Sequence, residues 1–240
     1  MDASWEEFGW ERLGHGVGRR RLPVWDATVV LVAGTDGALL CDTGSSLREG
    51  AELSDQTQSL LGRRVTHIAL SHPHFDHVLG TAAFTGARVY GAAGMAELLR
   101  DGADELRADA VGQGLSGRDA AESAAALVAP HHEVREERTL DLGGGREVRL
   151  VNLGPAHSGH DLAVLVPGSP AIVFCGDLVE ESGAPQAGPD ATGSRWPAAL
   201  DRLLALGGED ALYVPGHGAV VDAAFVRAQR AALAARFGVS

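Results

Sequence analysis

The chain has 240 residues, 45% hydrophobic and 22% charged, with a formal net charge of −12. That length holds one large domain or two small ones around a substantial core, and the composition is that of an ordinary globular protein. The acidic balance argues against nucleic acid as a partner, because a polyanion needs clustered Lys and Arg to replace its counterions; the densest basic cluster, GRRRLP at 18–23, reads as a solvated turn.

In chain order, the start MDASWEEFGWERLG is acidic and lacks the basic-then-apolar order of a secretory signal. Short apolar runs rich in Val, Ile and Leu at 28–33, 38–41, 65–70, 148–153, 162–166, 171–174 and 211–214, bounded by Gly, Pro and Asp, predict buried strands. Helical patterns fall between and after them. One follows the capping pair Ser45-Ser46 through LREGAELSDQTQSLLG, and others are HVLGTAAF, GMAELLRDG, WPAALDRLLALGG opened by Trp196-Pro197, and DAAFVRAQRAALAARF. Residues 95–135 carry Ala, Gly and charge with little strand signal and are expected to be a helical insertion over a cleft, while the Gly/Pro-rich stretch 180–194 is a loop. The order strands–helices, insertion, strands–helices predicts an α/β layered domain spanning 1–240. No apolar run is long enough to cross a bilayer, so the expected setting is the cytoplasm without a membrane partner. Cys41 and Cys175 sit in apolar runs that could pack near each other, and are expected to be reduced core residues.

The stretch SHPHFDHVLG at 71–80 stands apart. Unpaired polar groups are costly to bury, so His72, His74, Asp76 and His77 need a partner, and imidazole and carboxylate are common ligands of zinc and other divalent first-row metals. In a loop, the alternate residues His72 and His74 can aim at one point, whereas Asp76 and His77 on the following helical turn serve a neighbouring one. A single tetrahedral ion cannot use them all; two ions sharing a wall can. Three more candidates follow other apparent strands in small-residue settings: His157 in LVNLGPAHSGHD, Asp177 in AIVFCGDLVE and His217 in ALYVPGHGAVVD. His160 is a competitor to His157 or a residue facing substrate. His67 reads as packed within a strand, and His131-His132 as exposed loop residues with a possible place in the cleft.

The pattern H-x-H-x-D-H followed by distant His, Asp and His resembles the metallo-β-lactamase fold superfamily of metallohydrolases. The match runs in family order through DTGSS (42–46), VTHIALSHPHFDHVLG (65–80), LGPAHSGHD (153–161), FCGDL (174–178) and PGHG (215–218). The resemblance implies an αβ/βα four-layer sandwich, two mixed β-sheets with helices on the outer faces. It implies that His72, His74 and His157 hold one metal, that Asp76, His77 and His217 hold a second, and that Asp177 bridges both. Asp42 matches a family position whose carboxylate supports the metal-binding loop. The best-studied zinc β-lactamases carry Arg where this chain has His77 and Cys where it has Asp177; the set here is closer to glyoxalase II-like thioesterases and lactonases. The helical domain that follows in glyoxalase II has no evident counterpart in the 23 residues after His217.

What this implies is hydrolysis of an ester, thioester or lactone-type bond in a small molecule. A hydroxide bridging two divalent ions, zinc first and iron or manganese as alternatives, is the attacking group, and Asp76 orients the water and passes its proton on. Competing readings are a mononuclear iron-dependent dioxygenase related to persulfide dioxygenases, a β-lactam hydrolase, and a metal-binding protein without catalysis. Substrate identity and oligomeric state leave no sequence signal.

Overall fold

The computed structural model describes residues 4–239. Its twelve strands form two sheets. The first takes β1 (Glu11–Gly14), β2 (Val17–Arg21), β3 (Thr28–Ala33), β4 (Ala38–Cys41), β5 (His67–Ala69), β6 (Arg88–Ala92) and β7 (His132–Val134) in that spatial order, antiparallel as far as β4 and parallel from there. The second takes β8 (Glu137–Asp141), β9 (Glu147–Asn152), β10 (Leu162–Val166), β11 (Ile172–Glu180) and β12 (Leu212–His217), also in sequence order, with only β11 and β12 parallel. Both sheets are mixed, as expected.

Alternation along the strands shows how the layers stack. In β3, Val30 and Val32 face the second sheet, while Val29 and Leu31 face the other way, toward helices. In β10, Leu162 and Val164 point between the sheets, and Ala163 and Leu165 point to the opposite helices. The first outer layer is α1 (Leu47–Leu61) with, further along the chain, α2 (Phe75–Val78), α3 (Met95–Asp101), α4 (Ala103–Gly112) and α5 (Gly117–Ala125); the second is α6 (Trp196–Gly207) and α7 (Ala223–Phe237). Strands covered on both faces read as unbroken apolar runs, which is why the period-2 signal is absent from the sequence. The helix ends follow their capping chemistry. The Ser46 hydroxyl accepts from Glu49 N–H, Asp222 accepts from Phe225 N–H, and Trp196 at the start of α6 is buried with its Nε1 donating to the Leu178 carbonyl at 3.0 Å.

The structure departs from the sequence reading in several places. Strands β1, β2, β6, β7 and β8 had no apolar run to mark them: β8 exposes Glu137, Arg138 and Thr139, and β1–β2 is a charged hairpin. HVLGTAAF is a single helical turn followed by a 3₁₀ turn at Thr81–Ala83, because Gly80 packs against the Thr43 carbonyl where a side chain would collide. Residues 95–125 do carry three helices, but His132 opens the edge strand β7, stacked on Tyr90 at 4.8 Å, and neither it nor His131 lines a cleft. Cys41 and Cys175 are both free and buried in different layers, Cys41 between the sheets and Cys175 under the helices of the second, so they do not pack together. No helix among the described residues is long and apolar enough to cross a membrane.

Because the two sheets share one interior, deleting volume there is costly. Leu150→Ala, a fully buried change on β9 distant in sequence from the histidine motif, is expected to lower unfolding stability by about 2–5 kcal/mol in a urea titration. A loss under about 1 kcal/mol would contradict a tightly packed inter-sheet layer.

Candidate metal centre

The two sheets meet at one edge through a few backbone contacts: Leu162 N–H donates to the Ser71 carbonyl at 2.7 Å, and Ala27 bridges to His217. All seven candidate residues gather there. His72 and His74 lie in the loop after β5, Asp76 and His77 on α2, His157 in the loop between β9 and β10, and His217 at the end of β12. Asp177 is the exception to the expectation that every candidate lies beyond a strand. It sits inside β11, which kinks at Gly176 (φ +52) with a register shift and then continues to Glu180. The kink lets the carboxylate leave the sheet and enter the cluster, and Gly216 on the neighbouring strand has no side chain, where a Cβ would run into Asp177 Oδ1.

The donor atoms converge in two overlapping groups. Asp177 Oδ2 lies 3.6 Å from His72 Nε2 and 3.5 Å from His157 Nε2, and His157 Nε2 is 3.1 Å from His74 Nδ1. On the other side Asp76 Oδ2 lies 3.6 Å from His77 Nε2 and 3.5 Å from His217 Nε2, while Asp177 comes within 3.3 Å of His77 Nε2 and 3.4 Å of His217 Nε2. Ligands about 2.0–2.2 Å from a tetrahedral ion are themselves roughly 3.3–3.6 Å apart, so most of these spacings are those of atoms around a common cation. His72 Nε2, His77 Nε2 and Asp177 Oδ1 are buried without any hydrogen-bond partner. Three orphaned polar atoms in these two adjoining groups are costly unless something positive sits against them. The residues present therefore fit divalent ions.

Each imidazole is held from behind. His72 Nδ1 meets Ser71 Oγ at 2.9 Å, His74 Nε2 meets Asp190 at 3.1 Å, and His77 Nδ1 meets Asp42 at 2.7 Å. His157 Nδ1 faces the Gln186 carbonyl at 3.1 Å and His217 Nδ1 the Trp25 carbonyl at 2.8 Å. A ring N–H given to an acceptor fixes the tautomer and leaves the opposite nitrogen's lone pair aimed inward. Asp42 does the most: fully buried at φ +59, its carboxylate also accepts from Ser71 N–H at 2.7 Å and Ser71 Oγ at 2.6 Å.

The electrostatics point the same way. Burial pushes His157 down to about 4 and His72 well below the ordinary imidazole value. Burial opposes charge on His77 and His217 too, yet Asp177, with Asp76 and Asp42 beside His77, lifts them to about 10 and about 9. Asp177 stays anionic well below the usual carboxylate range despite its burial, because His77, His72 and His217 surround it. The carboxylates draw positive charge into the cluster.

Other residues fall outside it. His160 turns away, its Nδ1 2.9 Å from the Ala93 carbonyl, and His67 packs within β5 between Thr66 and Tyr90. Asp161 precedes β10 and clamps the His157 turn, accepting from Ala156 N–H at 2.8 Å and Ser158 Oγ at 2.8 Å. Glu180 was missed: it pairs across the strands with His217 and brings a third carboxylate near Asp177 and His217. Its place at the end of the apolar run FCGDLVE gave no signal, because the kink at Gly176 breaks the alternation that would have aligned it with the site.

A family model described as the metallo-beta-lactamase superfamily matches residues 22–217. The chain belongs to that superfamily. A curated relative, metallo-beta-lactamase domain-containing protein 1 of Xenopus laevis, is 28% identical over 160 residues, 66% of this chain and 56% of that protein, so the chain spans little more than half the relative's length. Among solved structures, a metallo-beta-lactamase from Pontibacter korlensis superposes with a TM-score of 0.74 at 21% identity, covering 93% of this chain and 97% of that one. The metallo-beta-lactamase FIM-1 from Pseudomonas aeruginosa in its mono-zinc form gives 0.69 at 20% identity, with 96% of each chain covered. The superfamily's members generally hydrolyse their substrates at sites for divalent metals, and the His/Asp clusters of this chain are of that kind.

Asp42→Ala removes the acceptor shared by Ser71 and His77. Zinc affinity, read by competition with a chromophoric chelator, is expected to fall about 10–100-fold. Unchanged affinity would mean that the loop holds its shape without Asp42.

Proposed function

We propose that this chain is a dinuclear metal-dependent hydrolase acting on an ester, thioester or lactone-type bond of a small molecule. The observation that carries this reading is the trio of buried, unpartnered atoms, His72 Nε2, His77 Nε2 and Asp177 Oδ1, where a His72, His74, His157 and Asp177 set adjoins an Asp76, His77 and His217 set and Asp177 oxygens come within 3.3 Å of His77 Nε2 and 3.4 Å of His217 Nε2. In the reading proposed, His72, His74 and His157 would hold one ion and Asp76, His77 and His217 the other, with Asp177 available to both. Zinc is the first ion to test, supported by the mono-zinc relative of the same fold; iron and manganese suit the same donors. When bound, such ions supply Lewis acidity and make a nearby water ionise near neutral pH.

The chain's own residues supply the rest. A groove of about 1140 Å³ opens over the centre, with His74, Asp76, His157, Asp177 and His217 in its floor. The Asp76 carboxylate, between His77 and His217 and open to the groove, is placed to orient a water and hand its proton to a leaving group. Residues 98–113 wall one side of the groove and residues 182–190 the other, and we read the helical stretch 95–125 as an insertion within a single domain. The two free, buried thiols suit the reducing cytoplasm as its setting.

Two measurements test this. Metal-free protein incubated with excess zinc and then desalted is expected to retain about two equivalents by elemental analysis, and Asp177→Ala fewer than one; full content in that variant would remove the shared-ligand role. Zinc-loaded protein is expected to hydrolyse at least one member of an ester, thioester and lactone panel, with Asp76→Asn lowering kcat/KM by about 10²–10⁴-fold. Inactivity across the panel at full metal content would contradict the assignment.

A further inference from the structure

Apart from the histidines of the centre, the groove is charged in one sense only. Beyond Asp76 and Asp177 of the centre, its walls carry Asp101, Glu105, Asp109, Glu180 and Asp190, and no arginine lines it; the chain contains no lysine. Asp190 is engaged by His74. Asp101, Glu105 and Asp109 form no ion pair among the described residues, and Arg107 of the same helix pairs instead with Asp104. Arginines near the rim are held elsewhere: Arg19 by Glu11 and the Gly218 carbonyl, Arg21 by Asp26. Two divalent ions would bring four positive charges against seven carboxylates, so the groove stays net negative when loaded. A carboxylate or phosphate on a substrate, including the carboxylate of a β-lactam, would find no arginine or lysine in the lining to receive it.

Two further features point to a ligand. Glu180 is only 7% exposed, yet it lines the groove with Oε1 taken by Ser182 Oγ and Oε2 without a hydrogen bond. Oε2 is not sealed in the interior; it is open to the groove and free to meet a donor or a cation there. The second feature is the apolar side of the same groove. Trp25 projects from the β2–β3 connection, edge-on to Phe75 at 5.2 Å and tied through Nε1 to the Gln113 carbonyl at 3.3 Å, just past the end of α4. Leu98 and Leu106 face the groove beside it, and Leu98 is 46% exposed. Glu105 and Asp109, one turn apart on α4, therefore border an aromatic and aliphatic wall.

We propose that this groove selects substrates bearing a positive charge next to an apolar segment, an amine or quaternary ammonium compound, with Glu105, Asp109 and Glu180 facing the cation and Trp25, Leu98 and Leu106 covering the apolar part. This rests on the hydrolase reading for the identity of the groove as a substrate site, and it narrows the substrate class within that reading. A cation beside carboxylates and an aromatic face gains from both, while an anion of the same shape is repelled before reaching the centre.

The test separates binding from turnover. Zinc-loaded protein is titrated with phenyltrimethylammonium, its neutral isostere tert-butylbenzene and the anion benzenesulfonate, following tryptophan fluorescence and heat. The cation is expected to bind about tenfold more tightly than the neutral probe, with an advantage that shrinks as salt is raised, and the sulfonate more weakly than either. The double variant Glu105→Gln, Asp109→Asn is expected to lose most of that advantage at unchanged zinc content and unfolding midpoint. Equal or tighter binding of the neutral or anionic probe overturns the proposal, and an advantage untouched by the double variant overturns the role of α4. In parallel, a trimethylammonium ester and its 3,3-dimethylbutyl isostere are compared for turnover. Hydrolysis of both at equal kcat/KM sinks the charge preference alone, whereas charge-selective binding with no hydrolysis of any ester, thioester or lactone sinks the hydrolase reading and leaves the cation site standing.

Discussion

Five imidazoles and two carboxylates are taken largely out of water at one edge of the sandwich, and three of their inward-facing atoms, His72 Nε2, His77 Nε2 and Asp177 Oδ1, have no hydrogen-bond partner. His72 Nε2 and His77 Nε2 lie a few ångströms from Asp177 oxygens without forming a hydrogen bond to them. A protein interior does not tolerate such an arrangement for packing alone, because each unpaired polar atom costs on the order of 1–3 kcal/mol. A cation between them removes that cost. The rest of the edge is organised to keep the donors in place for it.

That organisation is mechanical. Asp42 grips Ser71 and His77 at the end of β4, while Asp161 stiffens the turn that carries His157. Backbone carbonyls of Trp25 and Gln186, and the Asp190 carboxylate, fix the rings of His217, His157 and His74. These supports come from both sheets and from the loops between them, so the site forms only once the two layers have packed. The same packing leaves a groove above it, with α3 and α4 on one side and the 182–190 loop on the other.

Much of this was legible in the chain. His72, His74, Asp76 and His77 announce themselves by density, and His157, Asp177 and His217 by their small-residue neighbours after apolar runs. The buried strands were legible for the same reason: covered on both faces, β3, β4, β10 and the first half of β11 are nearly continuous Val, Ile and Leu. What escaped was structure without a local hydrophobic signature. Strands β1 and β8 expose charged faces, β6 is interrupted by Gly91, and the turn at Thr81–Ala83 is set by the fit of Gly80 under Thr43. Glu180, Asp190 and Trp25 reach the site through a strand kink and two loops, and such long-range placements have no counterpart in residue spacing.

The central claim is that seven side chains enclose a pair of cations. The most direct measurement is anomalous scattering from zinc-loaded crystals at the zinc absorption edge. The account predicts two peaks about 3.5–4 Å apart, one bounded by His72, His74 and His157, the other by Asp76, His77 and His217, with Asp177 reaching both. A single ion held elsewhere, or density at neither position under zinc excess, would contradict it.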